Sequence, residues 1–187
     1  MRFQVKANTP DTMDDFLEFF ELRAFRDNPQ WAGCYCLYPY HNDAQWESTT
    51  PHENKTEAMV RLAEGQIAGY LGYLDGIVIA WMAVGKRKNY SRVSATFATE
   101  EDEQKSIFSI ACFLIDPEFR NQGIASALLE RVIFDLTVKG VDIIEAYPVD
   151  KEGSNAHHHR GPLSLYQHAG FKVIEQTNLF TRVQKKL

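Results

Sequence analysis

The sequence lacks the apolar stretches and the paired cysteines that would place it in several common classes of protein. No apolar run reaches the roughly 18 residues that a membrane-spanning helix needs, and the acidic start of the chain lacks the apolar core of an export signal. Only three cysteines are present, Cys34, Cys36 and Cys112, and they cannot all pair within one chain. We therefore expect reduced thiols, a cytoplasmic location and no membrane partner.

Positive charge is also scarce. The chain has 20 Lys and Arg residues against 25 Asp and Glu residues, and its formal net charge is -5. Nucleic-acid binding draws most of its energy from clustered basic side chains, so this balance argues against a nucleic-acid partner. It mildly favours a cationic small molecule. No repeat, low-complexity tract or linker is present, and 44% of the 187 residues are hydrophobic, which predicts a single domain over residues 1–187.

The apolar pattern predicts elements in the order β-α-α-β-β-β-α-β-α-β-β, which is typical of an α/β fold with a mixed sheet and helices on both faces. The predicted strands cover residues 3–6, 66–74, 77–84, 106–115, 141–147, 171–174 and 179–183. A first helix begins after Pro10 and reaches Phe25, and further helices cover 55–64, 124–136 and 163–169. The stretches 31–46 and 87–103 are predicted as connections. Asp75-Gly76 is a strong signal for a tight hairpin turn.

The most informative segment is 116–125, DPEFRNQGIA, where a predicted central strand turns into a long helix. The first N–H groups of a helix lack internal acceptors and lie at the positive end of its dipole, so they suit a pyrophosphate. Gly123 has no Cβ and allows close approach of the backbone to a phosphate. Ala125 keeps the next turn slim, and Arg120 adds a charged contact. Taken alone, the pattern Arg-x-x-Gly-x-Ala also fits an ordinary helix start.

With the strand before it and the helix after it, the segment 115–125 resembles motif A of the GNAT N-acetyltransferase superfamily, whose Arg/Gln-x-x-Gly-x-Gly/Ala turn binds the pyrophosphate of coenzyme A. The segment 165–171, LYQHAGF, resembles that superfamily's other signature, a Tyr on a short helix followed by Gly-Phe into a strand. The similarity in element order covers nearly the whole chain. It implies a GNAT-like α/β fold, with a mixed, mostly antiparallel central sheet, a splayed pair of parallel strands and helices on both faces. It also implies acetyl-CoA as co-substrate and no metal.

The resemblance assigns the arm of coenzyme A to the opening between the splayed strands. The pantetheine amides are expected to bind backbone groups of Phe113, Leu114 and Ile115. The pyrophosphate is expected beside Arg120, at the main-chain N–H groups of Asn121, Gln122, Gly123, Ile124 and Ala125. Many members carry an Asn upstream of the helix Tyr, where this chain has His159. Asn155 is the candidate replacement, with Ser154 as the alternative.

Acetyl transfer to an amine requires that a proton be removed from the amine and that a thiolate be stabilised. By resemblance, Tyr166 is the candidate general acid near the sulfur; the alternative is a ring that only packs beneath the last helix. Glu145 is the candidate base, because strand alternation places it on one face with Ile143 and Tyr147. The alternatives are an ion-paired Glu145, a base beyond the strand end at Asp150 or Glu152, or a chain of water molecules.

An aromatic segment between the first two helices is the candidate acceptor pocket. Trp31 and Tyr35, together with Trp81 of the predicted hairpin, are expected to bind an amine through cation–π and stacking contacts. The same rings could instead plug the open side of a small domain. The run 157–159, HHH, and the pair Cys34 and Cys36 with His41 do not have the spacing of a metal site, so no metal is predicted.

The sequence therefore predicts an acetyl-CoA-dependent N-acetyltransferase that acts on the amine of a small molecule by direct attack on the thioester. Two alternatives stay open. One is a protein or peptide N-acetyltransferase of the same fold, which would need an open acidic groove. The other is a non-catalytic acyl-CoA-binding module, which would leave Tyr166 and Glu145 without a chemical role. A homodimer is also left open, since the residues do not determine the oligomeric state.

Overall fold

The computed structural model describes residues 2–97, 104–148, 159–177 and 181–187, and a single seven-stranded sheet runs through them. The strands are β1 (Phe3–Ala7), β2 (Gly69–Leu74), β3 (Ile77–Lys86), β4 (Ile107–Ile115), β5 (Ile143–Ala146), β6 (Lys172–Gln176) and β7 (Thr181–Lys186). The helices are α1 (Met13–Leu22), α2 (Asp43–Ser48), α3 (Pro51–Ala63), α4 (Ser91–Phe97), α5 (Ile124–Val138) and α6 (Leu163–His168). No helix in these ranges is long and apolar enough to cross a membrane.

The strands lie in the order β1-β2-β3-β4-β5-β7-β6, and every neighbouring pair is antiparallel except β4 and β5. The parallel pairing runs only from Ile107 opposite Ile143 to Ile110 opposite Ala146. Because β4 continues to Ile115 while β5 ends at Ala146, no strand of the described residues lies beside the last residues of β4 on that edge. The mixed sheet with a splayed parallel pair, predicted from the sequence, is confirmed.

Two apolar layers cover the two faces of the sheet. On one face, α1 and α3 pack over Trp81 and Cys112, and on the other, α5 and α6 pack over Met82 and Phe113. Adjacent strand residues thus point to opposite faces, as the pleat requires. Gly69 allows this packing at β2, because a Cβ there would lie 2.4 Å from both the Met82 carbonyl oxygen and the Trp81 Cη2 atom.

Local sequence signals explain where most elements begin. The hairpin between β2 and β3 turns at Asp75 and Gly76, both with positive φ (48° and 87°), as a two-residue turn of this kind needs. Helix α3 begins at Pro51, earlier than predicted, because Thr50 and Glu53 form a capping box. The stretches 31–46 and 87–103 are not wholly irregular as predicted: α2 begins within the first and α4 lies within the second.

Candidate active site

A cavity of about 600 Å³ lies at the junction of β4 and α5. Its walls come from the end of β4, the turn into α5, the segment 24–28 after α1, and the loop that ends at Pro162. We call it the β4–α5 cavity. It contains the residues whose pattern predicted a pyrophosphate site, including Arg120, Asn121, Gly123, Ile124 and Ala125.

The turn that opens α5 has an unusual backbone. Asn121 and Gly123 both have positive φ values, 60° and 79°, and Gly123 is the N-cap of the helix without any side-chain cap. The first helical hydrogen bond runs from the Ala127 N–H to the Gly123 carbonyl oxygen, 3.1 Å away. The N–H groups of the first turn therefore have no intrahelical acceptor and lie at the positive end of a 15-residue helix.

The Arg120 guanidinium borders the cavity but is held by the protein itself. It contacts both carboxylate oxygens of Asp27, at 2.5 and 3.3 Å, and its Nε donates to the Ile115 carbonyl oxygen at 3.2 Å. These bonds tie the segment after α1 to the end of β4. A phosphate contact by Arg120 would have to share or replace the bond to Asp27.

The main chain at the end of β4 alternates between two directions. The Asp116 N–H donates to the Ile79 carbonyl oxygen of β3 at 2.8 Å, and Leu114 pairs with Trp81 on the same side. Residues one step away, Phe113 and Ile115, direct their main-chain groups to the unpaired edge. The prediction that Leu114 offers backbone groups to a pantetheine arm is therefore corrected: its main chain faces β3, and Leu114 instead lines the cavity walls.

A loop of the chain itself occupies part of this edge. The Phe113 N–H donates to the His159 carbonyl oxygen, 2.5 Å away. This carbonyl holds the position in which a pantetheine carbonyl was expected, so a bond from Phe113 to a ligand requires the loop to move. The candidate replacement Asn155, like Ser154, lies outside the described residues.

Tyr166 lies beneath this loop, fully buried between α6 and the sheet. Its hydroxyl donates to the Arg160 carbonyl oxygen at 2.6 Å, so the proton does not point into a cavity in this arrangement. Burial raises the pKa of Tyr166 above its ordinary value, and the nearby Arg160 charge opposes that effect. Gly161 (φ 74°) makes room for the ring, since a Cβ there would lie 3.1 Å from the hydroxyl oxygen.

Glu145 lines neither the β4–α5 cavity nor the second cavity on the other side of the loop at 159–162, which corrects its assignment as the base. It is fully buried, and one carboxylate oxygen accepts hydrogen bonds from the hydroxyls of Ser109 (2.9 Å) and Tyr147. The other oxygen accepts from the Gln184 amide at 2.9 Å and lies 3.5 Å from Arg87. A carboxylate that accepts three hydrogen bonds beside a cation is an ion-paired structural group, which was the alternative interpretation of the sequence.

A second cavity, of about 520 Å³, lies on the other side of the loop. We call it the aromatic cavity; its rings are Phe25, Trp31, Tyr38 and Trp46. Trp31 lines this cavity, with its ring 5.7 Å from that of His159. Among the described residues that line this cavity there is no Asp or Glu, and Arg160 is the one Arg or Lys.

The other two predicted acceptor residues do not line the aromatic cavity. Trp81 is fully buried against Phe16 and Phe20, and its Nε1 donates to the Cys36 Sγ at 3.2 Å. Tyr35 stacks on Phe20 and its hydroxyl donates to Glu21. Both rings belong to the core, because the side chains of β3 and of the layer that contains α1 pack together behind the cavity wall.

The cavity lining contains three groups of residues that sequence reasoning missed. All three cysteines contribute, and contact with Cys36 together with burial raises the pKa of Cys112 well above its ordinary value. Asn54 follows the inward spacing of Ala58 and Leu62 on α3, which is a signal that could have identified it. Arg160 had no such signal, since it lies outside the helices and strands. Within the described ranges, no group of three or more His, Cys, Asp or Glu side chains has the geometry to hold a metal ion.

Comparisons with known proteins agree with this geometry. The family model described as "Acetyltransferase (GNAT) domain" matches residues 55–173. The fold is similar to a PaiA N-acetyltransferase from Thermoplasma acidophilum solved with coenzyme A, with 16% identity, full coverage of both chains and a TM-score of 0.57. It is similar to the GNAT domain of S. lividans PAT, with 17% identity over 99% of this chain and 90% of that one, and a TM-score of 0.62.

A further similar structure is a polyamine N-acetyltransferase of Drosophila melanogaster that forms N-acetylagmatine, with 11% identity, full coverage of both chains and a TM-score of 0.61. No match to a curated protein was found. At these identities the structures establish the shared fold alone, whereas the family model covers well over half of the chain.

Proposed function

Since this chain belongs to the GNAT acetyltransferase family, we propose that it transfers the acetyl group of acetyl-CoA to the amine of a small molecule, by direct attack of the amine on the thioester. The observation that carries the proposal is a shared wall. Phe25, Leu114 and His159 line both the β4–α5 cavity and the aromatic cavity. The two cavities thus meet at the unpaired end of β4, where an activated acyl group and an amine can be brought together.

The β4–α5 cavity fits the diphosphate of coenzyme A. The first turn of α5 offers N–H groups without intrahelical acceptors, and the helix dipole favours an anion there. A Cβ built on Gly123 meets no atom within 4 Å, so the space above the turn is open. Positive φ values at Asn121 and Gly123 aim the intervening main chain at that space. These observations support main-chain binding of the diphosphate by residues 121–125.

When bound, acetyl-CoA supplies the acetyl group as a thioester and a thiol as the leaving group. A bond forms between the amine nitrogen and the acetyl carbon, the carbon–sulfur bond breaks, the amine loses a proton and the thiolate gains one. Tyr166 is our candidate to stabilise the thiolate. The ordinary pKa of a tyrosine is already above that of a thiol, and burial raises the pKa of Tyr166 further, so it serves better as a hydrogen-bond donor than as a full proton donor. Its hydroxyl must first leave the Arg160 carbonyl oxygen.

Removal of the amine proton is assigned to water. An alkylammonium with a pKa of about 10.4 costs about 4–5 kcal/mol to deprotonate at pH 7. The described lining of the aromatic cavity contains no carboxylate, and Glu145 is enclosed by its partners. Asp150 and Glu152, the other carboxylates considered, lie outside the described residues. Water molecules in the cavity can carry the proton to solvent.

The proposal is tested by measuring thiol release from acetyl-CoA with a panel of small amines and amine-bearing peptides, together with calorimetry of CoA binding. We expect CoA to bind and at least one class of small amine to be acetylated, as identified by mass spectrometry. Binding without turnover of any amine would show a non-catalytic module instead. Turnover of peptides alone would show a peptide acetyltransferase, and absence of CoA binding would overturn the whole proposal.

A further inference from the structure

One cation borders the aromatic cavity. Arg160 lines this cavity together with Ala111, Cys112 and Leu114 of β4, and its main-chain carbonyl oxygen accepts from Tyr166. Within the described part of the chain its guanidinium has no carboxylate partner, whereas Arg23, Arg87, Arg92 and Arg120 all have one. An arginine side chain that lines a mostly apolar cavity can bind an anion there, because the geometry of its N–H donors matches that of a carboxylate.

The α3 wall of the same cavity holds an unpaired acceptor. Asn54 is 4% exposed, and its side-chain amide donates to the Gly33 carbonyl oxygen at 3.0 Å. That bond fixes which way the amide faces. Its Oδ1 atom is buried and has no hydrogen-bond partner among the described residues. Because this oxygen has almost no accessible surface, a molecule in the cavity does not reach it, and Asn54 contributes only to the shape of the α3 wall.

The walls between these two groups are flat and apolar. Trp31, Tyr38 and Trp46 come from the segment before α3, and Ala111 and Leu114 come from β4. Such walls suit a planar ring, and a volume of about 520 Å³ exceeds what a single short alkylamine fills. The cavity therefore combines an anion site beside β4 with an aromatic slot.

From this arrangement we infer that the acceptor is an aromatic α-amino acid. Its carboxylate binds the Arg160 guanidinium and its ring lies between the aromatic walls. The inference rests on the proposed acetyltransferase function and specifies its substrate class. In an α-amino acid the amine is one carbon away from the carboxylate, so binding at Arg160 also brings the amine to the β4 end where the cavities meet.

Electrostatics favour this acceptor over a plain amine. A monoamine or polyamine enters as a cation, and the nearest fixed charge in the described lining is also a cation. Like charges in a partly dry cavity repel strongly. A zwitterion avoids this cost, since its carboxylate neutralises Arg160 while its amine stays near the thioester position.

The test uses matched pairs of acceptors with acetyl-CoA: tyrosine against tyramine, tryptophan against tryptamine, and phenylalanine against phenethylamine. We expect kcat/KM to be at least about 10-fold higher for each amino acid than for its decarboxylated partner. Equal or better turnover of the decarboxylated amines would overturn the inference while leaving the acetyltransferase function intact. Failure of every amine, with CoA still bound, would overturn the function itself.

One variant assigns the preference to Arg160. Arg160→Gln should lower kcat/KM for tyrosine by about 10-fold or more and leave that for tyramine nearly unchanged, so that the ratio between them approaches one. Arg131→Gln is the matched control, because Arg131 is an exposed arginine on α5 paired with Asp135. Unfolding curves and CoA affinity report whether each variant is folded, and an unchanged acid-to-amine ratio in Arg160→Gln would contradict the assignment.

Discussion

Replacement of Glu145 by Gln separates a structural carboxylate from a catalytic one. In the structure the Glu145 carboxylate accepts three hydrogen bonds, from Ser109, Tyr147 and Gln184, and has two guanidinium groups within 4.0 Å, those of Arg87 and Arg182. Gln has the same shape but no charge, and its NH2 group faces donors or cations whichever way it turns. The variant should therefore lose stability through a mispaired buried network.

The expected loss can be estimated from these contacts. Removal of one partner from a buried ion pair costs about 3–5 kcal/mol, and Gln retains some acceptor capacity, so about 3 kcal/mol is expected. For a chain of this length each kcal/mol lowers the Tm by about 2–4 °C, which gives a decrease of about 6–12 °C. Ser109→Ala removes a single hydrogen bond of the same network and should cost only about 1 kcal/mol, or about 2–4 °C.

The assay pairs thermal unfolding, followed by circular dichroism, with kcat measured well below the Tm. If Glu145 is structural, kcat of the folded Glu145→Gln variant stays within about 3-fold of the wild type, since loss of a general base costs about 10²- to 10⁴-fold. An unchanged Tm combined with a 100-fold loss in kcat would refute the reasoning and restore Glu145 as the base.

Three further variants and one chemical modification test other parts of the structure. Tyr166→Phe should lower kcat by about 100-fold or more in steady-state kinetics without a change in CoA affinity by calorimetry; an unchanged kcat would remove Tyr166 from the chemistry. Gly123→Ala should cost about 1 kcal/mol of stability in denaturant unfolding, because the backbone there has a φ of 79°. It should also weaken CoA binding, and an unchanged CoA affinity would argue against the turn as the diphosphate site. Gly69→Ala should prevent native folding, as judged by far-ultraviolet circular dichroism, because its Cβ would lie 2.4 Å from the Met82 carbonyl oxygen; a native melt would contradict the packing. Burial raises the pKa of Cys34 to about 12, so its thiolate fraction at pH 8 is about 10⁻⁴. The rate of its alkylation by iodoacetamide, followed by mass spectrometry, should therefore rise about 10-fold per pH unit up to about pH 10. A rate that stops rising near about pH 8.5 would show an ordinary thiol.

The parts of the fold that were predictable are those determined by nearby residues. The strand, turn and helix around Gly123 were identified because a helix start, a glycine and an apolar run lie within a few positions of one another. The Asp75-Gly76 hairpin was predictable for the same reason. By contrast, α4 was missed because Ser91–Phe97 has no buried residue, and hence no apolar periodicity to detect.

The side chains of the site were harder to place because their roles depend on distant residues. Strand alternation correctly placed Glu145 on the same face as Tyr147. Its environment, however, is determined by Arg87 before α4 and by Gln184 and Arg182 on β7. Trp81 was assigned to the cavity from its residue type, yet the Phe16 and Phe20 rings of α1 cover it. No local pattern encodes which of two layers an inward ring meets.

The expected charge of the acceptor also depends on distant residues, so the composition of the sequence predicted it poorly. The net charge of -5 favoured a cationic ligand, but that total is spread over the protein surface and is screened beyond about 8–10 Å in physiological salt. Inside the aromatic cavity the nearest described ionised group is Arg160, and in a partly dry cavity one charge at contact distance outweighs several distant ones. The carboxylates that make the chain acidic are mostly engaged elsewhere: Glu145 is enclosed by its own partners, and Asp27 holds Arg120. We therefore expect the acceptor to carry a charge complementary to Arg160, and not one complementary to the net charge of the chain.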